Sequence, residues 1–121
     1  VNPLLLLIVA VAGGVGAGLR YAADLGLTRW LGARFPWGTL VINVTGSFAL
    51  GLLAAATSDV ALVAVLGVGL LGGYTTFSSV ATASAIFATE RRGVAAVTNT
   101  LMTLVLTGAA AALGLGLGGA V

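Results

Sequence analysis

The sequence predicts an all-α membrane protein with four transmembrane helices, the third broken at mid-membrane. Three observations carry that expectation. Of 121 residues, 60% are hydrophobic and 7% are charged, whereas a soluble domain carries roughly 25% charged residues. Mean hydropathy is +1.19, and a chain this short cannot hide so much apolar surface in one aqueous core. The five basic and three acidic residues are gathered at a few positions, leaving residues 4–19, 35–58, 60–89 and 93–121 uncharged. A spanning helix needs roughly 20 apolar residues, so the whole chain, 1–121, reads as one four-helix domain.

The first span is expected over about 4–28, running past Arg20. Its apolar start and Ala10-Val11-Ala12 mimic a cleaved leader, but no basic region precedes them, so a signal peptide is not expected. The second span is expected over 37–57, after Phe35-Pro36, because proline suits a helix start. The third uncharged stretch, 60–89, is too long. Thirty residues of helix would measure about 45 Å, half again the hydrocarbon thickness. Its middle, Gly72-Gly73-Tyr74-Thr75-Thr76-Phe77-Ser78, is a poor helix interior. A break near 72–78 is therefore expected, and irregular backbone at membrane depth survives only where protein or a water-filled cavity satisfies it. The fourth span is expected over 94–117.

Composition removes several functions. The chain has no Cys, His or Lys, so disulfides, thiolate or imidazole metal sites and His-dependent hydrolysis are excluded. The pI near 10.0 rests on five Arg, too few for a nucleic-acid-binding face. An enzyme reading has three acids near span ends and little else. Gly13–Gly18 only superficially resembles a dinucleotide loop, since Leu19 stands where the third glycine belongs and no strand precedes it. Asn43-Val44-Thr45 matches a glycosylation sequon but lies inside a span.

Four spans place both termini and the 2–3 connection on one side. Arg29, Arg34, Arg91 and Arg92 fall in the other two connections, and Arg20 lies toward the same side. By the positive-inside rule these arginine-bearing loops are cytoplasmic and both termini outside.

Small residues four apart recur at Gly14/Gly18, Gly69/Gly73 and Gly114/Gly118. They predict close helix packing, including with a partner subunit. Arg20 and Asp24 are spaced as a helical ion pair, which reads either as an interfacial pair or as a positive vestibule concentrating anions. Asn43, with Thr39 one turn earlier, is an amide in an apolar helix and serves either an interhelical hydrogen bond or a pore. Asn99, Thr103 and Thr107 recur at four-residue spacing, a candidate track of donors for a strongly hydrated anion. Phe77 offers a ring edge of positive potential, though packing is the commoner fate of such a ring.

Three ordered motifs resemble the Fluc (CrcB) fluoride-channel family: Gly13-Gly14-Val15-Gly16-Ala17 with Arg20-Tyr21, then Gly38–Phe48, then Gly72–Ser78. The resemblance covers essentially the whole chain. It implies an antiparallel dimer in a prokaryotic cell membrane that exports fluoride passively through two pores. It implies a central sodium ion held by main-chain carbonyls matching Gly72 and Thr75. It assigns Arg20 to the vestibule, Asn43 and Phe77 to the pore, and Asn99, Thr103 and Thr107 to a polar track.

Asn99 stands where the family commonly has an aromatic hydroxyl, and two positions after the break also depart from the family pattern. Val80 stands where a second Phe is typical, and Ala83 where a Glu is typical. A pore that depends on residue 80 of this chain is expected to be impaired. Together with the one-sided arginines, these departures predict one half of a heterodimer inserted in a single orientation. The alternatives are a scaffold subunit that conducts little itself and, from another class, a small proton-coupled exporter. The exporter would need a membrane carboxylate, and the only acid in the first span is Asp24, at its far end.

Overall fold

A computed structural model describes residues 2–120, one residue short at each end of the expected 1–121 unit. The described residues form helices joined by short turns. Helix α1 is Pro3–Leu31, α2 is Trp37–Ala56, α3 covers 60–74, α4 is Ser78–Thr89 and α5 is Gly93–Gly119. Helices α3 and α4 together make the third span, Val60–Thr89, so four apolar stretches are long enough to cross a membrane.

Local chemistry explains most boundaries. The Asn2 side chain accepts from the Leu4 amide and Pro3 opens α1, the N-cap and first-turn arrangement that leaves fewest orphan donors. Gly32, at φ 89°, ends α1. Asp59 caps α3 by accepting from the Leu62 amide at 3.0 Å. Helix α4 ends on Arg91 at φ 59°, with the Arg92 amide donating to the Phe87 carbonyl at 2.7 Å and the Arg91 amide to Ala88 at 3.3 Å. This is a Schellman closure, a position where glycine is usual.

Within α3, Val63–Leu71 is π-helical, a wider winding that sequence periodicity does not announce. Its two buried glycines sit where neighbours press in. A side chain at Gly67 would meet Leu50 and Leu53 of α2, and one at Gly69 would meet Val9 and Ala12 of α1.

Packing is glycine-mediated, but not entirely by the expected pairs. The longest interface joins α2 to α5, where an added Cβ at Gly51 would strike the Ala111 carbonyl, and one at Gly114 the Phe48 carbonyl. Gly118 packs on Leu52 and Ala55, and Gly73 on Gly13. Gly69/Gly73 and Gly114/Gly118 thus do what their spacing predicts. Gly14/Gly18 make no such contact within the subunit, where neither has a neighbour within 4 Å of a built Cβ among the described residues. On α1 it is Gly13 and Gly16 that meet α3, because the helix turns that face inward and leaves Gly14 and Gly18 on the outer surface.

The break is also narrower than expected. Gly72 and Gly73 are helical, and regular structure lapses only over Thr75–Phe77. The close approach of Gly13 to Gly73 holds the last turn of α3 against α1 despite its poor intrinsic propensity.

Candidate functional site

An interrupted helix strands backbone groups that water cannot reach, and the polar side chains of this chain converge on them. Asn43 on α2 spans the gap as a surrogate peptide. Its Nδ2 donates to the Thr76 carbonyl and its Oδ1 accepts from the Thr76 amide, both at 2.8 Å. Asn43 is 5% exposed, so this pair replaces helical bonds that Thr76 would otherwise have made.

Arg20 Nε donates to the Gly73 carbonyl at 3.3 Å, satisfying a second stranded group. The expected ion pair with Asp24 does not form: the arginine turns to the break, and the Asp24 carboxylate packs against Gly38 at the start of α2. The Thr75 hydroxyl donates to Leu71 at 2.9 Å. Thr76 Oγ1 accepts from the Ser79 amide at 3.2 Å, donates to Ser79 Oγ at 3.2 Å and pairs with the Ser78 hydroxyl, capping α4. Among the described residues the carbonyls of Gly72 and Thr75 receive no hydrogen bond.

Beside the break lies a cavity of about 220 Å³ lined by Asn43, Ser47, Thr75, Thr76, Phe77, Val80, Thr103 and Thr107. Thr107 donates to the Thr103 carbonyl at 2.6 Å. The Thr103 hydroxyl is buried without a partner, which is unusual for a buried polar atom. A second space of about 250 Å³ opens beyond Phe77 and Val80, also walled by Thr100, Thr103, Leu104 and Thr107. Val80 is 5% exposed, while Phe77, three residues earlier, is 83% exposed and projects from the subunit.

A sequence model of the family described as CrcB-like protein, Camphor Resistance (CrcB), matches residues 7–115. The chain belongs to the CrcB family. Its relatives include the "Fluoride-specific ion channel FluC 1" of Leifsonia xyli, 43% identical over 98% of this chain and 89% of that protein. The "Fluoride-specific ion channel FluC 2" of Mycobacterium tuberculosis is 42% identical over 88% of this chain and 84% of its own length. The "Fluoride-specific ion channel FluC" of Rhodospirillum centenum is 51% identical over 62% of this chain, a match spanning 64% of that protein. CrcB membership and four membrane-length helices make this a multi-pass membrane protein.

In this CrcB chain the structure regroups the site residues expected from sequence. Asn43, Phe77, Val80, Thr103 and Thr107 meet at one cavity. Arg20 joins the break from behind, through Gly73. Thr39 lines neither space. Asn99 does not line that cavity. It is 2% exposed, and its amide donates to Ser84 Oγ at 3.0 Å and to the Val80 carbonyl at 3.3 Å. Ser84 pairs with Thr100 at 3.0 Å, and Thr100 donates to Ala96. In this arrangement the Asn99 amide hydrogens are both committed, and Asn99 clamps α4 to α5.

Two features went unread in the sequence. Ser47 lies one turn after Asn43 and enters the cavity, a position the same helical spacing could have flagged. At the arginine end, Arg92 lies 4.5 Å over the Phe87 ring and donates to the Arg34 carbonyl at 3.4 Å, while Phe87 stacks on Phe35. This cluster fastens the two arginine-bearing turns together, and no spacing rule relates residues so far apart in sequence.

Proposed function

We propose that this CrcB chain is one subunit of a channel through which fluoride crosses a prokaryotic cell membrane passively. The observation that carries it is the cavity at the break, where a buried hydroxyl without a partner and an amide polarised by Thr76 face a space large enough for an ion. Relatives named as fluoride channels supply the anion. Fluoride holds its water tightly, so a path for it needs donors that replace that water one by one. The positive end of α4 and the Phe77 ring edge add potential of the right sign.

The pathway is completed by a second subunit in the opposite orientation. Phe77 stands out from the subunit at 83% exposure, and within the spans hydroxyl and amide side chains occur on only one side of the break. An inverted partner supplies the missing side. Val80 and Ala83, together with the one-sided arginines, favour a paralogous partner over an identical one. In that assembly the arginine-bearing loops are cytoplasmic and both termini outside.

The Gly72 and Thr75 carbonyls are free of hydrogen bonds, and neutral backbone oxygens are the donor set a hard monovalent cation takes at a helix break. Contributed from two subunits, they would hold a sodium ion, which would fix the crossing of the two broken helices.

Fluoride efflux from liposomes tests the proposal. Protein-dependent release of fluoride, insensitive to a proton gradient and far faster than release of chloride, is expected. Release only on reconstitution with a paralogue supports the heterodimer. Absence of release with any partner defeats the assignment. A second reading, a scaffold whose own pore is silent, is favoured by Val80 alone. It predicts that Phe77→Ala in this chain leaves the flux of the pair unchanged.

A further inference from the structure

Resting on the channel reading, we infer that Ser47 is an ion-contacting residue of the pathway and its last side-chain donor before the terminal side of the membrane. The Thr75 hydroxyl is given to Leu71 and that of Thr107 to the Thr103 carbonyl. The Thr76 hydroxyl is held within the Ser78–Ser79 cap. One Asn43 N–H is given to Thr76 and the other is free. Of the hydroxyls lining the cavity, only those of Thr103 and Ser47 remain uncommitted.

Ser47 is unusual in this respect. A serine or threonine inside an apolar helix ordinarily donates to a carbonyl one turn back, as Thr45 does to Val41 at 2.9 Å. Among the described residues the side-chain hydrogen bonds of α2 are those of Asn43 and Thr45, and the Ser47 hydroxyl makes none. It therefore keeps its proton for whatever occupies the cavity.

Ser47 also walls a third space, of about 260 Å³, with Leu50, Gly51, Ala54, Ala111 and Leu115. None of those five side chains can donate. Past Ser47 the rest of α2 (48–56) has no hydroxyl or amide, and past Thr107 neither does the rest of α5 (108–119). Ser47 is thus the shared wall between a donor-lined space and a donor-free one. An anion leaving toward the termini passes from Thr103 and Asn43 to Ser47, and takes up water or the partner subunit's donors from there.

The test is fluoride efflux from liposomes carrying the wild-type chain, with its paralogue where the pair is needed, beside S47A, S47T and S47C. S47A is expected to lower efflux by about tenfold or more, the loss of one hydrogen bond to a charged species. S47T, which keeps a hydroxyl, retains at least about a third of wild-type efflux. S47C, near-isosteric with a weak S–H donor, falls between the two and answers the question if S47A loses its folded elution. Wild-type efflux with S47A or S47C at parity overturns the role of Ser47 and leaves the channel reading standing. Equal loss in S47A and S47T, both eluting as folded dimers, also overturns it, since packing then matters and the hydroxyl does not. A wild-type chain silent with every partner overturns the channel reading and this assignment together.

Discussion

On the arginine side of the break every span carries side chains able to hydrogen-bond: Arg20 and Thr28 in α1, Asn43, Thr45 and Ser47 in α2, five hydroxyls in α4, and Thr98 to Thr107 in α5. On the terminal side, residues 3–19, 48–56, 60–73 and 108–119 carry none. The two halves are consequently held together by different forces. The arginine half is fastened by named hydrogen bonds, Asn43 to Thr76 and Asn99 to Ser84, and by the Arg92–Phe87 stack. The terminal half is fastened by backbones in near contact, glycine against carbonyl, at Gly16, Gly51, Gly73, Gly114 and Gly118. Such contacts suit lipid, where apolar side chains gain little by leaving one another for the bilayer. The lesson is that the halves should fail differently. One fails by loss of a polar atom and the other by gain of a methyl group.

Asn43→Ala strikes the polar half hardest. It leaves the Thr76 amide and carbonyl without partners, at about 1–3 kcal/mol for each stranded group. The melting midpoint in detergent should fall and fluoride efflux with it. A variant that keeps its melting midpoint would show that the break does not depend on this amide.

Gly114→Ala is the matching stroke in the terminal half. The new Cβ meets the Phe48 carbonyl, and overpacking of this kind costs about 1–3 kcal/mol. Gly18→Ala is its control. With no neighbour within 4 Å, it should be neutral or gain up to about 1 kcal/mol from helix propensity, unless a partner subunit covers that face. Equal damage at both positions would locate a partner on the outer face of α1 and sharpen the comparison.

Arg92→Ala removes the cation–π contact and the bonds to Arg34, for a loss of about 1–2 kcal/mol by thermal melt. The smallest effect is expected from Arg91→Gly. It relieves the left-handed backbone at φ 59° and should stabilise by about 0.5–1 kcal/mol. No gain would mean that the arginine head makes a compensating contact with a partner or a lipid headgroup.

Much of this architecture was legible because charge and length fix where a span can end. Arg34, Asp59, Glu90 and the two arginines after it bracket the helices, and an apolar run of thirty residues containing Gly-Gly-Tyr-Thr-Thr has to bend. What stayed hidden was azimuth. Residues spaced by four drift about 40° per step around a helix, so Asn99, Thr103 and Thr107 fan over about 80°. The first can face α4 while the last two face the cavity. Spacing also leaves open which way a pair faces: Gly14 lies about 100° round α1 from Gly13, so Gly14/Gly18 look outward while Gly13 and Gly16 meet α3. The double bond of Asn43 to Thr76 was out of reach for another reason: it needs the break to exist before it has anything to satisfy.

The π-helical stretch at Val63–Leu71 has a genetic consequence. Each hydrogen bond there encloses one residue more than an α-helix would. The stretch is thus wound as an α-helix carrying an extra residue. Deleting one residue here would let it relax toward α-helix, with the helix after it keeping much of its facing. The same deletion from a regular helix such as α5 would turn everything after it by about 100°. A one-codon deletion in Val63–Leu71 is therefore expected to be better tolerated than one between Asn99 and Thr107, and this segment is the place where the third span can change length without re-aiming Phe77 and Val80.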